Sequence, residues 1–407
     1  MKIALYGNTC NNLFNLCKAL RGKGLDAHLY LNYNIDIQNK PESDEKELKN
    51  NYPGWIHQSE DWNPYKVIKL INFKMIKEFN KYDLVILSDN GLLIAKFLKV
   101  KKIFYVTGMD LTKLPFYDKY LSDQTDLLTK IKRKYITLMQ KIGIRSCDLI
   151  ITQPFEPFEF SLKKLNIKKN KISNNYYPIL MDDMKINFKK DAWQKIDLIN
   201  KNKLNKFKFI IFHPTRLIFA NKEKEIATGH YKGNEKLINA FASLIKRRKL
   251  DDICIALPKR KHSIDINEAI QLINKNEIED NVVWLETKSE EGFTREEIVN
   301  YYSISDIVAD EFGIGWFGSI VIEATLCKNV IMTCLNKKII NKLYKDCPII
   351  SCDNEIQIEE YIENIYDNLK NKKDIIEKNY EWAMKYHSIS KGVDIYIDNF
   401  KKDKIFL

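Results

Sequence analysis

Short runs of aliphatic and β-branched residues alternate along the chain with longer segments whose apolar positions recur every three or four residues. In the first half the runs predict strands over Ile3–Tyr6, Ala27–Leu31, Leu84–Leu87, Ile103–Val106 and Leu149–Thr152. Helical spacing falls between them, over Asn12–Lys23, Tyr65–Asn80, Leu92–Leu98 and Thr125–Ile144. The second half predicts strands over Phe209–Phe212, Ile253–Leu257, Val282–Leu285, Ile307–Ala309, Val330–Met332 and Ile349–Ser351. Helices are predicted over Asn234–Arg248, Ser263–Lys275, Thr294–Tyr302, Ser319–Cys327 and Ile356–Leu369. In the first of these, Leu237, Phe241, Leu244 and Ile245 share one face. Strands alternating with helices imply parallel sheets covered on both faces. The rhythm breaks between Leu165 and Lys206, a polar Lys/Asn-rich stretch containing Tyr176-Tyr177-Pro178. Two doubly wound α/β domains follow, over 1–180 and 181–386, with a last segment, 387–407, expected to cross back to the first. In such sheets ligands bind at the carboxyl ends of the strands.

Composition narrows the function classes. The chain has 407 residues, 45% hydrophobic, enough for two cores and unlike disordered or fibrous sequences. No run reaches the ~18–20 apolar residues of a membrane span. The apolar start, Met1 to Gly7, is too short for an export signal, which points to the cytoplasm. Eight cysteines are scattered without a Cys-x-x-Cys pair, so reduced, buried thiols are expected. Sixty-six basic less 54 acidic residues leave a net charge of +12. The chain is crowded with Lys, Asn and Ile, so much of that charge is spread over the surface, and no zinc-finger, RRM or helix-turn-helix pattern points to nucleic acid.

The most informative stretch runs from Ile307 to Ala324: a strand, the acids Asp310 and Glu311, a loop carrying Gly313, Gly315 and Gly318, then a helix opening near Ser319. Glycines permit unusual backbone angles and close ligand approach, and the amides of a helix start favour phosphate. Glu323, about one turn into that helix, is placed to reach sugar hydroxyls beside a phosphate. The alternative is a tight strand-to-helix turn with a solvated Glu. Phe212-His213-Pro214-Thr215-Arg216 ends the first strand of the second domain, and Lys232-Gly233 follows. Arg216 suits a diphosphate through its fork, and Lys232 as a point charge.

The order Arg216, Lys232-Gly233, Asp306-Ile307-Val308, Gly315-Trp316-Phe317-Gly318, Ile322-Glu323-Ala324 and Asn329-Val330-Ile331 resembles the donor-binding half of retaining glycosyltransferases of family 4. The resemblance covers about 206–386. It implies a GT-B fold, two Rossmann-like domains with a site between them, and a UDP- or GDP-sugar donor with no metal. It implies that Arg216 and Lys232 hold the donor's diphosphate and that Glu323, the second acid of the family's Glu-x7-Glu motif, holds the ribose. Gly315 stands where the first acid belongs, and Asp310 and Glu311 are candidates to replace it. Thr107 stands where relatives carry a His in His-Gly-x-Asp, while Asp110 keeps its place as a catalytic candidate. Asp110 reads equally as a loop hydrogen-bonder. Gly7, after the first strand, is a weaker candidate for donor contact. His28 and His57 fall in no motif.

From Leu127 to Cys147 there is no acidic residue. Lys130, Lys132, Arg133 and Lys134 interleave with apolar residues, which suits an anionic lipid surface or acceptor and also suits a domain helix with a solvated basic face. The resulting expectation is a sugar transferase acting on a glycan or lipid-linked acceptor in cell-surface polysaccharide synthesis, peripheral to the membrane. The alternatives are another GT-B enzyme, such as a nucleotide-sugar epimerase, and a two-domain sugar-binding protein.

Overall fold

The computed structural model describes the chain except for residues 33–34, 37–38, 50, 60–71, 121–125, 183–188, 220–224, 227–228, 261–262, 264, 289–291, 369–371 and 407, and the side chains of 118–120. The chain divides into two compact units, Met1–Asp182 with Ser388–Leu407, and Asp183–His387.

The first unit is built on β1 (Lys2–Tyr6), β2 (Asp26–Asn32), β3 (Ile56–Ser59), β4 (Leu84–Leu87), β5 (Lys101–Tyr105) and β6 (Leu149–Ile151), in the order β3-β2-β1-β4-β5-β6. Every pairing is parallel, with Ile3 opposite both Ala27 and Leu84. This is the doubly wound order, in which the chain reverses direction across the sheet between β1 and β4. Central strands covered on both faces need apolar residues throughout, and all four residues of β4 are buried. The helix Ile389–Lys402 closes this unit, placing Val393, Tyr396 and Phe400 in the core with Leu5, Leu29 and Tyr177. The Tyr396 hydroxyl donates to the Pro178 carbonyl at 2.8 Å.

The second unit carries β7 (Phe209–Phe212), β8 (Ile253–Pro258), β9 (Val282–Leu285), β10 (Ile307–Ala309) and β11 (Ile331–Met332), in the order β11-β10-β7-β8-β9, again all parallel. The order repeats that of the first unit, so its reversal lies between β7 and β10. The shared face of Asn234–Arg248 is buried as its spacing predicts, with Leu237, Phe241, Leu244 and Ile245 in the core.

Several expectations shift. Ile349–Ser351 is not a strand; Ser351 makes one isolated bridge to Thr333. The edge strand β3 went unpredicted because Ile56-His57-Gln58-Ser59 carries a single aliphatic residue. The stretch expected to be irregular holds two short helices, Lys189–Lys195 and Leu198–Leu204. Of the helix expected over 65–80, residues 73–79 are helical and the start lies outside the described residues.

Candidate functional site

The second unit gathers its candidate residues where β7 and β10 end. His213 follows β7 and is fully buried. Its Nε2 accepts from the Asn234 amide at 2.8 Å, so its Nδ1 carries the proton and donates to the Ala309 carbonyl at 2.9 Å. Burial, against that one favourable bond, pushes the imidazole down to about 4. His213 is therefore a neutral strap between the ends of the two strands. Asn234 extends the strap, its Oδ1 accepting from the Ile218 amide at 3.0 Å. Asp310 is equally committed: its Oδ1 accepts from the Thr215 hydroxyl at 2.7 Å, and Gly318 supplies a backbone donor. Burial raises its carboxyl above the usual range.

Glu311, also buried, is ion-paired with Lys232. Burial pushes the Glu311 carboxyl up to about 7, with Lys232 opposing and Asp310 adding to the shift. Arg216 sits close enough to act on Glu311 electrostatically, and its guanidinium makes no hydrogen bond or ion pair among the described residues. One available guanidinium and one ammonium held by a carboxylate thus stand beside the strand ends.

The glycines divide by task. Gly233 has φ +66°, and a Cβ there would lie 2.7 Å from the Phe312 carbonyl carbon. A Cβ on Gly313 would lie 2.7 Å from the Tyr231 carbonyl oxygen. These two let the Lys232 and Glu311 segments touch, joined by the Phe312 amide donating to the Lys232 carbonyl at 2.7 Å. Gly315, at φ +73°, turns the loop. A Cβ on Gly318 would meet nothing within 4 Å, and Gly318 caps the helix Ser319–Leu326 without a side-chain acceptor. Gly318 is exposed and Ser319 partly so, which leaves the start of this helix accessible to an anion. Glu323 is buried, with its carboxylate bonded to Arg295 and Tyr302, two residues that sequence reasoning left unassigned.

The first unit has its own concavity, a cavity of about 260 Å³ at the β1/β4 reversal. Gly7 and Asp110 both line it. Gly7 has φ +93°, and a Cβ there would collide with Ser88. The loop that follows has no further glycine and is stapled by Asn8 and Asn11: Asn8 Nδ2 donates to Asn11 Oδ1 at 2.7 Å, and Asn8 Oδ1 accepts from the Phe14 amide at 2.8 Å. Asp110 acts within its loop, accepting from the amides of Thr107 (3.1 Å), Gly108 (2.9 Å) and Asp89 (3.3 Å). The Thr107 hydroxyl lies 3.0 Å from Asp110 Oδ2 and 3.1 Å from Asp89 Oδ1. Burial, and then the neighbouring Asp89, push the Asp110 carboxyl up to about 7. Asp89 escaped the sequence reading because it sits in no recognised pattern; its left-handed φ of +50° shows only in the structure.

The basic helix spans Leu127–Ser146. Its inner face buries Ile136, Met139, Gln140 and Ile144, and Gly143 lets it press against the Leu92 carbonyl. Its outer face is more apolar than the sequence suggests. Leu127, Ile131 and Leu138 are each more than half exposed and, with Lys134, follow an i, i+4, i+7, i+11 stripe. Arg133 folds over the Tyr117 ring at 4.7 Å, and Lys130 and Lys132 are partly buried. No helix among the described residues is long and apolar enough to cross a membrane.

No protein-family model matches the sequence, and no curated protein matches it. Solved structures do match in fold. HepE of Anabaena, in complex with UDP and glucose, is 13% identical over 100% of both chains, with a TM-score of 0.64. A glycosyltransferase from Rickettsia africae is 15% identical over 99% of this chain and 98% of that one, at 0.58. The sucrose-phosphate synthase of Thermosynechococcus elongatus is 14% identical over 99% and 100%, at 0.59. At such identities the likeness establishes the fold alone: this chain has the GT-B fold, with two Rossmann-like parallel sheets.

Proposed function

We propose that the chain is a glycosyltransferase that moves a sugar from a nucleoside-diphosphate donor to a glycan or lipid-linked acceptor. The observation that carries this is the meeting of Arg216, Lys232, the amide-bearing loop Gly315–Ser319 and Glu323 where β7 and β10 end. In a doubly wound sheet that reversal is the ligand crevice. Arg216 and Lys232 offset the charge of the departing diphosphate, with the helix amides as a third donor set, and no metal is assigned to that task. Lys232 exchanges Glu311 for phosphate, and Glu311 and Asp310 stand nearest the donor sugar. The solved complexes of HepE with UDP and with UDP-glucose support a uridine nucleotide as the first donor to try.

The first unit takes the acceptor, with Asp110 and Gly7 in its cavity, and the second takes the donor. We assign no nucleophile for double displacement among the described residues, and departure and attack on one face, with retention, is the proposed route. The helix Leu127–Ser146 rests on the cytoplasmic face of a membrane, with Lys130, Lys132, Arg133 and Lys134 toward anionic headgroups. Cell-surface polysaccharide or glycoconjugate synthesis is the pathway that this reading proposes. The test is a thermal-shift screen with UDP, GDP and their sugars, followed by a transfer assay on the ligand that binds. A stabilising nucleotide, with transfer lost in Arg216→Ala and Glu323→Ala, is expected. Full activity in both variants would remove the assignment, and release of a free or epimerised sugar with no acceptor product would favour an epimerase.

A further inference from the structure

Glu323 is held by a clamp from a neighbouring helix. Its Oε1 pairs with Nη2 of Arg295 at 3.1 Å, and its Oε2 accepts from the Tyr302 hydroxyl at 3.1 Å. Both partners come from the helix Arg295–Ile304. They stand seven residues apart, two turns, and so share one face. That helix is fixed at its start by a reciprocal capping box between Thr294 and Glu297. Along its length Tyr301 stacks on Phe293 (4.3 Å between centroids) and on Phe212 (5.4 Å), the last residue of β7. The clamp therefore ties the Glu323 carboxylate to the strand end where Arg216 begins its loop.

The clamp has two chemical effects. A buried carboxylate with no cation would be costly and would repel a diphosphate bound one helical turn away; Arg295 brings the local pair to zero charge. It also fixes direction. A carboxylate has about four lone-pair sites, and the clamp occupies one on each oxygen. Among the described residues nothing else bonds to either oxygen, which leaves one site on each for a further donor, as two adjacent hydroxyls require.

We infer that Arg295, with Tyr302, is a positioning residue that neutralises and orients Glu323 for the vicinal diol of the donor nucleotide's ribose. The inference rests on the donor-site reading above. It adds that Arg295 acts through Glu323 and not on the diphosphate.

The test is a calorimetric titration of the full chain with UDP and with 2′,3′-dideoxy-UDP, in wild type, Arg295→Ala, Arg295→Lys and Tyr302→Phe. Two hydrogen bonds to a carboxylate predict that wild type prefers UDP by about tenfold or more. In Arg295→Ala the uncompensated carboxylate should weaken both nucleotides, and UDP more than the dideoxy nucleotide, so that the preference falls below about threefold. Arg295→Lys keeps the charge but loses the fork, and should recover part of the preference. A merely structural Arg295 would weaken both nucleotides alike and leave their ratio intact, which would overturn the inference. Should Arg295→Ala fail to fold, the ratios in Arg295→Lys and Tyr302→Phe decide, and wild-type ratios in both would overturn it. Wild type that binds neither nucleotide removes the donor reading and the inference together. Wild type that binds both equally spares the donor reading and removes only the ribose role of Glu323 and its clamp.

Discussion

Alanine at Gly313 or Gly233 would drive a Cβ into backbone atoms 2.7 Å away, and at Gly233 would also force a left-handed side-chain residue. Each substitution should cost about 1–3 kcal/mol in chemical denaturation. Gly318→Ala, with open space around it, should stay within about 1 kcal/mol. The sequence marked Gly313 and Gly318 as loop residues and Gly233 only as the neighbour of Lys232. It could not separate them, because the distinction rests on which backbone each one faces. His213 shows the same limit: the sequence places it after a strand and assigns it no task, and the structure uses both of its nitrogens as struts. Its ring, held down to about 4, stabilises the fold fully above pH 6.5, its ordinary value, and ceases to as pH falls from there toward 4. Wild type should thus lose about 3 kcal/mol relative to His213→Gln between pH 7 and pH 4, measured by urea denaturation at each pH. Asp110 and Glu311, raised to about 7, slope the opposite way: they favour the folded state at low pH and lose that advantage as pH rises to 7.

At the scale of elements, the buried central strands were legible because strands covered on both faces must be apolar throughout. Edge elements were not, since β3 needs only one apolar contact and the short helices at 189–204 bury little. The helix Leu127–Ser146 was legible as basic and amphipathic. Which of its residues point outward was not, because two apolar stripes compete and only packing against Leu92 selects one. If the outward stripe meets lipid, Ile131→Asp with Leu138→Asp should lower binding to anionic vesicles by about tenfold or more in flotation assays. Melting should be unchanged, because both side chains are exposed. The turn after Lys402 offers a contrasting test. Asp403 accepts from the Tyr177 hydroxyl (2.6 Å), the Ser173 hydroxyl (2.6 Å) and the Asn175 amide (2.8 Å). Asp403→Ala strands the buried Tyr177 hydroxyl and should cost about 1–3 kcal/mol by thermal or urea melting.

For the molecule as a whole, the resemblance was strongest in the second half, where phosphate chemistry imposes residue types at fixed places, and weakest in the first, where an acceptor can be read by many surfaces. A donor that binds the second unit should therefore leave a localised trace. UDP at about 100 times its dissociation constant adds about 2.7 kcal/mol to the unit that binds it. Amide exchange should slow around 213–218 and 310–323 and stay unchanged around β1 and β4. The +12 charge plays a small part in this, since the proposed donor contact uses Arg216 and Lys232. One feature of the chain path has a consequence for biogenesis. The first unit's sheet is complete by residue 151, but the helix that seals its core begins at Ile389, after the whole second unit has been made. On the ribosome the first unit must wait, its groove for Val393, Tyr396 and Phe400 open, while the second folds. A prematurely terminated chain would carry a finished second unit and an unsealed first one, a species marked for chaperones and proteases by its own exposed core.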